Sequence, residues 1–255
     1  MNKLSVVIIS KNEDINISEC VKSAIFANEV LVVDSGSTDD TVMLAKKAGA
    51  RVVSKKWLGY GAQKNLAINL AKNNWIFSLD ADERIDKNLA FEIKLAIKKN
   101  QQSVYEVARK SLFVSRFMKY SGWRPDYTKR LFKKKSGKFQ ERLVHEHFVT
   151  NCEIGRLKGN LIHYSYRDIE MVLKKINAYS SYGANEYLGA GRRGSLFRAI
   201  LHGLWAFFRT YIMRFGFLDG AEGFMLAFAN AESSYYKYIK LYYLVNKHHL
   251  NAKKN

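Results

Sequence analysis

The chain has one proline in 255 residues, Pro125, and two cysteines, Cys20 and Cys152. A lone proline leaves no Pro-rich linker to divide the chain into separate modules. Two cysteines without a Cys-x-x-Cys pair exclude a disulfide scaffold and a cysteine-based zinc site, and point to free thiols in a cytosolic setting. The segment after the first apolar run, Ser10-Lys11-Asn12-Glu13, has no glycine. That counts against a dinucleotide fingerprint and against a nucleotidyltransferase phosphate loop. Apolar runs fall short of the ~18–20 residues of a spanning helix. Met1-Asn2-Lys3 passes straight into a strand pattern, and no signal peptide is expected. Acid is scarce as well: 23 Asp and Glu stand against 42 Lys and Arg, a net charge of +19. Such an excess suits a polyanion, whether nucleic acid, an anionic membrane or a phosphorylated substrate.

With 47% hydrophobic residues the chain can build a large core. Four short runs rich in apolar residues alternate with helical patterns over the first eighty residues: LSVVIIS, VLVV, RVV and WIFSL. Helices are expected at about 17–27, from about Thr41 to Ala48 with Gly49 as a cap, and at 61–71. Strand–helix alternation of this kind predicts a mostly parallel α/β sheet. A further helix is expected at 86–99, strand-like alternation at 103–114, a mixed loop and strand region at 122–149, and a last short strand at 161–164.

The fourth run ends abruptly in Asp80-Ala81-Asp82-Glu83. Two carboxylates at i and i+2 repel each other unless a cation or donor joins them. A divalent metal carrying a phosphate would do so, because hard cations prefer oxygen ligands. Asn12-Glu13 follows the first strand, Asp34 the second, and Lys64 lies in the helix after the third. In a parallel sheet these positions share one edge, where α/β folds bind ligands. Asp34 there suits a base or ribose, Lys64 a phosphate, and Asp80 with Asp82 a ribose and a metal-bound diphosphate.

The blocks VVIISKNE, VLVVDSGSTDDT and GAQKNLAINLAKNNWIFSLDADE together resemble the N-terminal half of the family 2 inverting glycosyltransferases of GT-A fold. The resemblance covers about residues 4–85. It implies a nucleotide-sugar donor, usually a UDP-sugar. It puts Asn12 and Glu13 in the first nucleotide-binding loop, Asp34 beside uridine, Lys64 near the diphosphate, and Asp80 and Asp82 in a DxD element holding ribose and Mg²⁺ or Mn²⁺. Later segments, TKRLFKKKSGKFQERLVHEHF, LIHYSY and GFLDGAEGFMLAFANAESSYYKYIKL, are similar to the lipopolysaccharide core β-1,4-glucosyltransferase subgroup. That similarity makes Glu146 the expected base, with Glu141 as alternative. His163, after the last strand, reads as a third metal ligand, a diphosphate contact, or a structural histidine at a strand end. The QxxRW signature of processive enzymes is absent, so a polysaccharide synthase is not expected.

The expected organisation is a catalytic domain at 1–165, with a donor half at 1–100 and an acceptor half at 101–165, and a helical extension at 166–255. Three helices are expected in the extension, at 168–188, 195–215 and 219–244. In the second, Ser195, Arg198, His202 and Arg209 form a narrow basic stripe beside a wide apolar surface. That pattern fits a helix in a membrane interface, or one packed on the catalytic domain. The basic cluster Lys129, Arg130, Lys133, Lys134, Lys135, Lys138 and Arg142 reads either as a contact for anionic acceptor groups or as a solvated face. Together these readings predict an enzyme on the cytoplasmic face of the inner membrane, moving a sugar, expected to be glucose, to the lipopolysaccharide core or another anionic glycolipid. Polyprenyl phosphate is an alternative acceptor. A nucleotidyltransferase or a nucleic-acid-binding basic protein is the alternative of another class; nucleic acid is not an expected partner.

Overall fold

The structure, a computed structural model, describes residues 2–140 and 147–252, with side chains as far as Asn246. It divides into two compact units, Met1–Lys110 with Pro125–His163, and Ser111–Arg124 with Tyr164–Asn255.

The first unit opens with β1 (Leu4–Ser10), α1 (Asp14–Ala24), β2 (Glu29–Asp34), α2 (Thr41–Lys47), β3 (Arg51–Ser54), α3 (Tyr60–Leu70) and β4 (Trp75–Asp80). It continues with β5 (Glu83–Ile85), α4 (Lys87–Lys99) and β6 (Val104–Phe113), whose last residues enter the second unit together with β7 (Arg116–Phe117). Then come β8 (Tyr127–Lys133), β9 (Lys138–Phe139), β10 (Phe148–Val149) and β11 (Ile154–Tyr166), which also runs past the unit boundary. The main sheet has the order β3-β2-β1-β4-β8-β6-β11-β5, with β7 on β6. Its first four strands are parallel, as the alternation of strands and helices predicts. β8 then joins β4 and β6 antiparallel, and β5 joins β11 antiparallel.

Both faces of the parallel strands are covered. Leu4, Val6 and Ile8 of β1 meet Ile17 and Val21 of α1 and Leu89 and Ile93 of α4 on one face. Val7 of β1 and Leu31 and Val33 of β2 meet Ala67 and Ile68 of α3 on the other. In β4 the whole run Trp75 to Leu79 is buried. Full burial of each of Ile76, Phe77 and Leu79 contributes about 1.5–3 kcal/mol, and it leaves Asp80 as the first residue at the strand end with access to solvent.

In the first unit, three elements differ from the sequence reading. α1 starts at Asp14, because the Glu13 carbonyl accepts from the N–H groups of Asn16 and Ile17 at 2.9 and 2.8 Å; the apolar spacing marked its buried face, not its first turn. β5 has three residues, too few for a period to be visible. β11 is 13 residues long instead of four. Its inward positions alternate through Leu157, Gly159 and Leu161, and glycine hides the period. A Cβ at Gly159 would meet the Leu89 backbone at 2.7–2.8 Å, so only glycine lets α4 approach.

The second unit holds α5 (Ile169–Gly189), α6 (Leu196–Phe208) and α7 (Gly220–Ala252). Asp168 and Ser195 cap α5 and α6 by accepting from the N–H groups of Met171 and Arg198. α6 ends earlier than the pattern suggests. The chain widens into a π-helical turn at Arg209–Met213, then passes through Phe215 at φ 55°. Asp219, fully buried, ties this turn to residues 119–121 by accepting from the N–H groups of Lys119 and Tyr120 at 3.0 and 2.9 Å and from Ser121 Oγ at 3.1 Å. Among the described residues, no helix is long and apolar enough to cross a membrane.

Candidate active site

Strand register sets the geometry of the site. Ser10 pairs with Asp34, and Ile9 with Asp80, so the ends of β1, β2 and β4 share one sheet edge.

Asp34 is only 2% exposed. It accepts from the N–H groups of Gly36 and Ser37 at 2.9 and 3.0 Å, closing the turn after β2. Gly36 stands at φ +82°, where a side chain would be strained. Asn12, at φ 54°, reaches the same turn: its N–H donates to Ser37 Oγ and its Oδ1 accepts from the Thr38 N–H, both at 2.9 Å. The Glu13 N–H donates to Thr41 Oγ1 at 2.7 Å, and its carboxylate accepts from Asn16 Nδ2 at 2.7 Å. Asn12, Glu13 and Asp34 therefore frame one turn. α3 is tied to that turn by Gln63, whose Nε2 donates to Ser35 Oγ at 3.2 Å.

The next turn of α3 carries Lys64. Its Nζ lies 2.9 Å from Asp80 Oδ1. Arg130, from β8, holds the other oxygen: Nη2 to Asp80 Oδ2 is 2.8 Å. The same Nη2 lies 2.5 Å from Glu83 Oε1. Glu83 Oε2 accepts from the Asp80 N–H at 2.9 Å, which closes the Asp80-Ala81-Asp82-Glu83 turn on itself. Arg109 approaches Glu83 at 3.9 Å and pairs with Asp126 at 2.7 Å. Burial alone would raise the Asp80 carboxyl, but Arg130 and Lys64 outweigh it and hold the group well below the usual carboxylate range. Glu83 shifts the other way: burial dominates and pushes its carboxyl up despite Arg130.

Asp82 makes a separate pair. Its Oδ2 lies 3.3 Å from His163 Nε2, on β11, whose backbone is in register with Glu83. The two side chains are partly open, at 30% and 18% exposure. One carboxylate oxygen and one imidazole nitrogen form a donor pair suited to a divalent first-row cation. No larger cluster of His, Cys, Asp and Glu suited to a metal occurs among the described residues.

Glu146 and its alternative Glu141 lie outside the described residues, as do Arg142 and His145. Hydrogen bonds hold the residues flanking that segment. Gln140 N–H donates to the His147 carbonyl at 3.0 Å, and Asn65 of α3 exchanges two hydrogen bonds with Phe139, each 2.9 Å. The Phe139 ring lies 5.3 Å from Lys64 Nζ. Phe139 thus lies beside Lys64 of the Lys64–Asp80 pair.

Neither sequence reading of the basic cluster describes Arg130. It is 3% exposed and faces the acidic turn. Lys129 donates to the Phe148 carbonyl, Lys134 to the Ala71 carbonyl, and Lys133 lies over the Trp75 ring. Only Lys135 and Lys138 of the described members are exposed. Glu83 and Gln63 were also missed. The signal for Arg130 was its place within a strand, directly before Leu131-Phe132, where an arginine on the inward side needs an acidic partner.

Residues 5–161 match the family described as "Glycosyl transferase family 2". An uncharacterized glycosyltransferase of Rickettsia felis is 35% identical over 94% of this chain and 90% of its own length. The lipopolysaccharide core biosynthesis glycosyltransferase LpsC of Rhizobium meliloti is 29% identical over 99% of this chain and 95% of its own. Among solved structures, S. aureus TarS 1-349 in complex with UDP-GlcNAc aligns at TM-score 0.49 and 16% identity, covering 96% of this chain and 92% of that one. The α/β sheet with its parallel first half is the GT-A type of fold that the sequence resemblance predicts. The chain belongs to glycosyl transferase family 2.

Proposed function

We propose that this glycosyltransferase moves a hexose, expected to be glucose, from a UDP-sugar to the lipopolysaccharide inner core, with inversion at the anomeric carbon. The observation that carries the donor reading is the convergence of Lys64, Arg130, Asp80, Asp82 and His163 at the edge reached by the Asn12–Asp34 turn. Similarity to a relative named for lipopolysaccharide core biosynthesis supports the acceptor.

In this reading the Asn12-Glu13 loop and Asp34 bind uridine, and Asp80 meets the ribose. Lys64 binds the diphosphate, shared with Asp80. Asp82 and His163 would hold Mg²⁺ or Mn²⁺, which would supply positive charge for the departing diphosphate. Imidazole in the donor pair favours Mn²⁺ over the strictly oxygen-seeking Mg²⁺. Glu146 takes the proton from the acceptor hydroxyl as it attacks. The support is that Phe139, shortly before it in the sequence, lies beside Lys64. Residues 1–100 then serve the donor and 101–165 the acceptor, except that Arg130 and His163 reach back to the donor site, and 166–255 form a helical extension at the cytoplasmic face of the inner membrane.

The test is a donor screen. UDP-glucose, UDP-galactose and UDP-GlcNAc are supplied with Mg²⁺ or Mn²⁺, and UDP release is followed with and without truncated lipopolysaccharide. Acceptor-dependent release from UDP-glucose, with a β-linked product, is expected. Release only with polyprenyl phosphate, or from no UDP-sugar, would overturn the acceptor or the donor assignment respectively.

A further inference from the structure

α6 is built inside out. Its buried residues are small: Ala199, Gly203 and Ala206. Its large residues point to solvent: Phe197 is 70% exposed and Leu204 64%, with Ile200, Leu201, Trp205 and Phe208 also open. At 100° per residue the large side chains fill roughly half the helix circumference, and the small ones occupy a narrow arc opposite. α4 shows the usual arrangement, with Leu89, Ile93 and Ile97 inside and lysines outside. The small face of α6 lets α7 come close: a Cβ on Gly203 would meet the Ala231 carbonyl oxygen and Tyr235 Cβ, each at 3.4 Å. Close packing through small residues, with large apolar ones turned outward, suits a helix whose outer surroundings are lipid.

The apolar surface continues past the helix. Met213, Phe215 and Leu218 are each about half exposed, as are Phe224 and Phe228 on α7. A contiguous patch of this kind marks a partner. Charge identifies which partner. Between residues 190 and 218 the chain carries Arg192, Arg193, Arg198, Arg209 and Arg214 and no acidic residue. All five arginines are exposed. Arg198 on α6 and Arg209 just past its end lie at the border between the apolar arc and the small-residue arc, the level of the headgroups if the apolar arc enters the acyl region. Two nearby acids face inward or are engaged: Asp219 is buried, and Glu222 accepts from Ser115 Oγ.

We infer that α6 and the turn to residue 218 form a half-inserting wedge that docks on an anionic lipid bilayer, with Phe197, Leu204 and Trp205 among the acyl chains and the arginines on phosphate headgroups. The proposed glycolipid acceptor gives this surface its purpose, but the surface is read from burial and charge alone. A second copy of the chain is the competing occupant, and the arginine border disfavours it, since symmetric pairing would bring like charges together.

The experiment uses the full chain with sedimented vesicles of phosphatidylethanolamine and phosphatidylglycerol, against vesicles of phosphatidylcholine. Binding to the anionic vesicles, weakened roughly tenfold or more by Leu204→Glu or Phe197→Glu and reduced by salt, is expected. UDP release with a water-soluble acceptor should be unchanged in those variants, so failure here is distinguishable from failure of the donor assignment. A second readout needs no destabilising substitution. Brominated acyl chains should quench tryptophan fluorescence in the wild type and much less in Trp205→Phe. A wild-type chain that stays in the supernatant, or variants that bind vesicles as tightly as wild type, would overturn the inference. So would a dimer in light scattering that Leu204→Glu dissociates, without vesicle binding by either form.

Discussion

Arg130 Nη2 stands 2.8 Å from Asp80 Oδ2, joining the middle of β8 to the end of β4. The same nitrogen also serves Glu83, which is fully buried. Removing the guanidinium leaves a buried carboxylate without its nearest cation. Arg130→Ala should therefore cost about 3–5 kcal/mol in urea unfolding. Arg130→Lys should recover only part of this, because an ammonium is a compact point charge and not a planar fork. The double variant Arg130→Met with Glu83→Gln should be more stable than Arg130→Ala alone. A cost below ~1 kcal/mol for Arg130→Ala, the range of exposed pairs, would show that the cluster is solvated.

The pair Asp80 and Glu83 predicts a pH dependence with opposed contributions. Asp80 titrates below its unfolded value of about 3.9, so the unfolded chain takes up this proton first as the medium becomes acidic. Its stabilisation is complete above the unfolded value and is lost as pH falls from there toward the folded one. Glu83 titrates above its unfolded value, so it weakens the fold at neutral pH and this penalty fades on acidification. Asp80→Asn should accordingly be less stable than wild type at pH 7, with the gap narrowing toward about pH 3. Urea midpoints measured across that range check this; a gap independent of pH would contradict the charge assignment.

The parallel half of the fold was legible because its strands are buried on both faces. LSVVIIS and WIFSL are near-continuous apolar runs, and the sharp ends at Asp34 and Asp80 mark the sheet edge. Lys64 was legible from its place in the helix before β4. Arg130 and Glu83 were not, because their pairing joins positions 47 residues apart on strands whose neighbours cannot be read from local pattern. β11 was obscured by Gly159, which stands in an apolar position to admit α4. α6 was legible as amphipathic, but not which of its faces is buried: the small arc packs and the large arc does not.

Asp219 supplies the clearest test of the second unit. It accepts three hydrogen bonds from residues 119–121 in a fully buried position. Asp219→Ala leaves two N–H groups and a hydroxyl without this acceptor, at about 1–3 kcal/mol for each group that water does not reach. Hydrogen exchange should show protection lost at Lys119 and Tyr120 while β1 and β4 remain protected. Unchanged exchange at Lys119 and Tyr120 would contradict the assignment.

Glu146→Gln tests the proposed base. Loss of general-base assistance typically costs 10²–10⁴-fold in rate, roughly the range expected for transfer here. Binding of UDP with Mn²⁺ should persist, since the base acts on the acceptor. Glu141→Gln should retain most activity. The reverse pattern would move the role to Glu141.

The site assignment itself is tested most directly by calorimetric titration of UDP into the full chain, with Mn²⁺ and with EDTA, comparing wild type and Asp82→Asn. Binding in Mn²⁺ that disappears in EDTA, and is lost or greatly weakened in Asp82→Asn, is the predicted result. UDP binding of equal strength in EDTA and in the variant would contradict a metal-bound nucleotide diphosphate at the end of β4.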